Sequence, residues 1–214
     1  MKRKTFLLLG LAVVVTAIFG VVNKAKALDE TTISISPLTF DLTANPGDSL
    51  VNEMIVRNGG AEPVVINMGS QDFIASGEEG DISLTEEKTT YSLAQWVEVN
   101  TNKFVIQPGK QERVKFIIRV PVNAEPGGHY ASVLAQLSPT LDSQNSGAYV
   151  GQKIGALVLL RVSGQITESA KVEELSAEKS KEKPGYDITA RIKNTGTVHI
   201  KPKGMIAITN IWGD

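Results

Sequence analysis

A block that opens on Pro-Gly, alternates apolar with polar residues and closes on Asn-x-Gly occurs twice in this chain. The first copy runs from Pro46-Gly47 to Asn58-Gly59-Gly60, and the second from Pro184-Gly185 to Asn194-Thr195-Gly196. Steps of two back from the asparagine give Val56, Met54, Asn52 and Leu50 in one copy, and Ile192, Ala190, Ile188 and Tyr186 in the other. A period of two with one apolar face is the pattern of a half-buried β-strand. The two glycine-to-asparagine spacings differ by two residues, so the same face stays inward in both. The Asn-x-Gly that follows tolerates positive φ and predicts a hairpin turn, after which Val64-x-Ile66 and Val198-x-Ile200 resume the alternation. Two copies of one element predict two β-domains of one type, and Pro46, Gly47, Asn58, Gly60, Asn194 and Gly196 mark the repeat.

The chain opens with a different kind of segment. Lys2-Arg3-Lys4 precede an apolar run over residues 5–22, and Ala25-Lys26-Ala27 supplies a small-x-small cleavage site. This reads as a secretory signal peptide over residues 1–27, with an uncleaved membrane anchor as the other reading. The leader holds five of the 22 Lys and Arg and none of the 23 Asp and Glu, which leaves the mature chain at 17 against 23, or −6. An acidic surface repels phosphate polymers and argues against nucleic acid as a partner. The chain has no cysteine, so an exported domain of this kind is held by core packing alone. That composition fits a bacterial exported protein.

Between residues 33 and 162 the alternation predicts eight or nine short strands. Pro37 interrupts the first and marks an edge or a switch between sheets. Residues 50–57 and 64–71 are expected to form the first hairpin. Residues 112–120 are the cleanest strand, with Val114, Phe116, Ile118 and Val120 on one face and Arg113, Lys115 and Arg119 on the other. Residues 138–147 form a polar loop before the strand at 149–162. Short strands without helical periodicity predict an all-β chain with an immunoglobulin-like antiparallel β-sandwich over residues 28–168, a jelly roll being the other topology. Residues 171–183 are read as strand plus charged turn, not a helix, because their apolar stripe is narrow. They begin an incomplete second β-sandwich domain over residues 169–214, whose apolar strand 205–211 lacks a partner sheet. A natural product continuing beyond Asp214 is the expectation.

The motifs Pro46-Gly47, Val56-x-Asn58, Gln95-Trp96, Phe104-x-Ile106-x-Pro108-Gly109 and Val114-x-Phe116-x-Ile118 recur in the order found in one bacterial family. With Pro126-Gly127-Gly128-His129-Tyr130, they make residues 33–162 resemble the peptidoglycan-binding domain of WxL-interacting proteins. The resemblance implies an exported envelope protein with cell-wall glycan or another surface protein as partner. It also implies a second β-domain and a C-terminal membrane anchor. Membrane contact is then expected only through the leader or that anchor.

No catalytic constellation is legible: there is no Gly-x-Ser-x-Gly elbow, phosphate loop or His-Glu-x-x-His. The expectation is a non-enzyme without cofactor or metal. Trp96, His129 and Tyr130 are the candidate binding residues. Trp96 reads as a sugar platform or, preferably, a core anchor. Gly127 and Gly128, after Pro126, permit a bulge or a close approach of backbones. One reading puts His129 and Tyr130 at a binding edge, and the preferred one is a bulge with Tyr130 packed and His129 on the solvent face. Asp72, Glu78, Glu79 and Asp81 form an acidic stretch whose spacing matches no EF-hand. Two other functions stay open: a chaperone-like protein holding a partner strand between two domains, with Arg161 and Lys171 to take a terminal carboxylate, or an accessory β-domain of a larger surface enzyme.

Overall fold

The computed structural model describes residues 33–78, 80–138 and 152–208. The leader, Glu79, most of the 138–147 loop and residues 209–214 lie outside them. Ten strands, not eight or nine, build a sandwich from the first three quarters of the described chain. One sheet orders β1 (Ile33–Ser36), β3 (Ser49–Asn58), β8 (Gln111–Arg119) and β6 (Val97–Val99). The other orders β2 (Thr39–Ala44), β10 (Lys153–Val162), β9 (Gly127–Ser138), β4 (Val64–Ser76) and β5 (Asp81–Thr85), with β7 (Lys103–Ile106) also on β4. This is an immunoglobulin-like β-sandwich.

The core forms where the inward residues of both sheets meet. Met54 and Val56 of β3 and Val114, Phe116 and Ile118 of β8 are buried, against Ile66 of β4, Val133 of β9 and Val158 and Leu160 of β10. The charged face read on β8 points outward: Arg113 pairs with Glu53 at 2.6 Å and Arg119 with Glu98 at 3.0 Å. Pro37 sits at the switch. β1 pairs antiparallel with β3, the chain crosses at Ser36-Pro37, and β2 then pairs parallel with β10 in the opposite sheet. A residue without an N–H cannot extend the ladder, so the strand breaks there and changes sheet.

The block from Asn58 onward is not a hairpin. β3 pairs with β1 and β8, whereas β4 pairs with β9, β5 and β7, so the turn arches from one sheet to the other. Nor does it use positive φ: those conformations fall at Gly47 and Gly185 of the Pro-Gly ends, while Gly59, Gly60 and Gly196 have none. The asparagine side chain builds the arch instead. Asn58 Oδ1 accepts the N–H of Gly60 at 2.9 Å, and its Nδ2 donates to Glu62 O at 2.7 Å and Ile106 O at 3.1 Å.

Beyond the sandwich lies a two-stranded antiparallel sheet, β11 (Ala170–Lys179) with β12 (Tyr186–Asn194). It repeats the first pair of the sandwich. Ala170 faces Asn194 as Ile33 faces Asn58, and Asn194 Oδ1 accepts the N–H of Gly196 at 2.9 Å while Nδ2 donates to Val198 O at 2.7 Å. The stretch read as strand and charged turn is therefore the first strand of the second copy. The expected strand at 205–211 is not formed over residues 205–208, where Met205, Ile206 and Ile208 are exposed.

Candidate functional site

The two candidate binding residues on β9 point in opposite directions because successive side chains on a strand alternate. His129 is inward and buried, which reverses the solvent-facing position expected from the sequence. Its ring lies 4.5 Å from that of Trp96, and its Nε2–H donates to Glu125 O at 2.9 Å. Trp96 ends a single 3-10 turn (Ala94–Trp96) and packs, half-buried, on the core. That turn is held by Asp72, whose Oδ1 accepts the N–H groups of Leu93 at 2.8 Å and Ala94 at 2.7 Å. Sequence reasoning missed this cap because the residues lie more than twenty apart and no local motif links them.

Tyr130 stands on the outer face of its sheet, half-buried among Phe73, Tyr91 and His199. The glycines before it do not make a bulge, since β9 pairs with β10 without a register shift from Gly127 to Gln136. They allow close approach. A Cβ on Gly128 would meet the Tyr130 hydroxyl at 2.1 Å, and one on Gly127, at φ 140°, would meet Thr197 O at 3.2 Å. The Gly128 N–H donates to that same Thr197 carbonyl at 2.9 Å. The Pro126–Tyr130 motif is thus the seat on which the second arch rests.

The arch is fixed from the other side too. Thr195 and Thr197 bond the linker at Ser169 and Thr167, and a Cβ on Gly196 would fall 2.2 Å from Thr167 O. His199 Nε2 lies 3.1 Å from Asp41 Oδ1 on β2, and Lys201 bonds the other oxygen of that carboxylate. Lys201 and His199 hold the Asp41 carboxyl below its ordinary range. Burial pushes the Tyr130 phenol upward, only partly offset by its bond to the His199 backbone. His199 of the second copy reaches the sandwich through Tyr130, its ring meeting the phenol ring edge-on at 5.8 Å.

Two adjoining depressions border this junction. One, of about 210 Å³, lies between Tyr91, Pro126, Gly128 and Thr197; the other, of about 170 Å³, lies between Tyr91, Tyr130, Asn194 and Val198. Among the described residues no three His, Cys, Asp or Glu side chains converge where a metal could sit. The acidic stretch is dispersed: Asp72 caps the 3-10 turn, Glu78 pairs with Arg191 at 2.9 Å, and Glu79 is outside the described residues. Arg161 is engaged by Glu168, and Lys171 lies on β11 opposite Lys193.

Sheet edges are the other candidate. β2 covers only Leu157–Val162 of β10, so residues 153–156 of β10 carry no described strand on that side. The switch at Pro37 produces this gap, because the chain joins this sheet only at Thr39, opposite Leu157, its earlier residues being paired with β3. Among the described residues no helix is long and apolar enough to cross a membrane.

No protein-family model matches the chain, and no curated protein does. Solved structures similar to it include the class 5 fimbriae chaperone CfaA, at 16% identity and a TM-score of 0.45 over 78% of this chain and 68% of that one. The PapD-like domain 7 of human CEP192 is similar at 12% identity and a TM-score of 0.43, over 62% and 86% of the two chains. The periplasmic chaperone SfaE is similar at 10% identity and a TM-score of 0.42, over 77% and 87%.

Proposed function

We propose that this chain is a non-enzymatic exported protein that binds another polypeptide by taking up an extended segment at a sheet edge. The observation that carries this reading is the start of β10 at residues 153–156, beside which no described strand lies on one side. An edge strand presents unpaired N–H and C=O groups that an added strand satisfies, while pockets beside it select alternate side chains. A depression of about 210 Å³ between Met68, Gly69, Leu134 and Lys153 lies on the outer face next to that edge. Of the functions considered from sequence, this favours a protein partner over cell-wall glycan and takes in the strand-holding chaperone. Arg161 does not serve as the free carboxylate anchor of that chaperone reading, because Glu168 already engages it.

A photo-crosslinking residue at position 153, with position 115 on the other sheet as control, tests the proposal in the exporting cell. Polypeptide adducts at 153 and not at 115 are the expected result. Equal labelling at both, or none at either, would overturn it. Retention on insoluble peptidoglycan over a control domain is the separate test of the glycan reading.

A further inference from the structure

Apart from the start of β10, the edges of the sandwich are short or guarded, as natural sheets require. β1 has four residues and stops at Pro37, β6 has three, β7 four and β5 five, and β2 carries Asp41 bonded to His199 and Lys201. β12 is different. All nine of its residues are exposed, it contains no proline, and no described strand pairs with its far side. Its one face is Tyr186, Ile188, Ala190 and Ile192, with no charge among them. The register shift of this hairpin is on β11, between Val172 and Glu174, so β12 itself keeps a regular edge.

The charged face of the hairpin carries two unfavourable pairs. Lys171 stands directly opposite Lys193 at one end, and Glu178 directly opposite Asp187 at the other. Like charges across a ladder are destabilising. Glu173 lies 3.3 Å from Lys193 but both are largely exposed, and Arg191 is held by Glu78 and Glu174, each at 2.9 Å. Asp187 has no ion-pair partner among the described residues, and Lys193 has only that exposed one. What would satisfy both is a strand of reversed direction carrying a cation opposite Asp187 and an anion opposite Lys193.

β12 is such a strand to itself. We propose that its free edge pairs antiparallel with β12 of a second copy of this chain, about a two-fold axis at Ala190. In that register Asp187 faces Lys193 of the second copy, Ile188 faces Ile192 and Thr189 faces Arg191, and each pair occurs twice by symmetry. A four-stranded sheet results, one face of which gathers Tyr186, Ile188, Ala190 and Ile192 of both copies. An interface this small belongs with the weak and transient class.

Sedimentation of the full chain over a concentration series tests the pairing. The wild type is expected to associate reversibly into dimers. Asp187→Lys and Lys193→Asp are each expected to weaken association by about tenfold or more, because two attractive pairs become repulsive. Asp187→Lys removes the like-charge pair with Glu178, while Lys193→Asp removes the one with Lys171 but gives up the exposed pair with Glu173, so the hairpin of each variant is checked by circular dichroism. Mixing the two variants restores both attractive pairs. The introduced lysine of one chain then faces the introduced aspartate of the other, and the remaining native Lys193 faces the remaining native Asp187. A mass-tagged heterodimer is therefore expected to recover the wild-type affinity. A wild type that stays monomeric throughout, or a mixture no stronger than either variant alone, would overturn the proposal and leave the edge to a different strand.

Discussion

The arches at Asn58 and Asn194 make the same two side-chain bonds, yet one is buried and the other is not. Asn58 adds a third bond to Ile106 O of β7, and the strand it ends lies under the opposite sheet. Asn194 has no such third bond among those of the described residues, and Val172, Leu175 and Ile192 near it are 58%, 61% and 41% exposed. Local chemistry therefore builds the arch in either setting. Burial comes only from what lies across from it, as expected when side-chain caps act locally and apolar packing acts between layers.

The largest expected contrast is in the strands themselves. Phe116 is fully buried and meets Phe40 edge-on with centroids 5.0 Å apart, so Phe116→Ala should cost about 3–5 kcal/mol in denaturant unfolding. Ile192→Ala on the open face should stay within about 0.5 kcal/mol. A comparable loss at both positions would break the distinction.

Next comes the asparagine pair. Asn58→Ala strands the buried Ile106 carbonyl and the part-buried Glu62 carbonyl and Gly60 N–H, and a loss of about 2–3 kcal/mol is expected. Asn194→Ala should lose about 1 kcal/mol or less in the same assay, because water replaces its bonds. Gly196→Ala sharpens the role of the seat: its Cβ collides with Thr167 O, so amide exchange at Gly128 should accelerate while β3 is unaffected.

The smallest effect is on pH. The Asp41 carboxyl is lowered chiefly by Lys201 and then by His199, so in the folded chain it binds its proton at lower pH than when unfolded. Its contribution is then full above the unfolded value of about 3.9 and fades as pH falls through the lower folded value. Solvent screening keeps it small. The carboxyl carbon shift of Asp41 should titrate in that acid window, below the ordinary carboxylate range; titration at or above the ordinary value would contradict it.

Much of this was legible in the residues, and the failures are instructive. The alternation on β8 put Phe116 inward and Arg113 outward, and Pro37 marked the sheet switch. Pairing was not legible, because an arch between sheets and a hairpin within one both read as strand, turn and strand. Asn58 decides between them through bonds to Glu62 and Ile106, and the second of these partners lies far off in sequence. His129 was misplaced for another reason. β9 is the central strand, buried on both faces over most of its length, and a strand buried on both sides shows no alternation to phase. The seat at Gly127-Gly128 was visible as a motif, but its purpose depended on Thr197, in the other copy of the repeat.

Hydrogen exchange along β3 and β12, in dilute solution, tests the contrast most directly. Residues 55–57 of β3 have a partner on each side, β1 and β8, so their amides should be protected close to the global stability of the sandwich. β12 has a described partner only on β11, so every second amide should be protected and the intervening ones should exchange rapidly. Protection of all β12 amides at the level of β3, or of none, would contradict an open repeat of a closed sandwich pair.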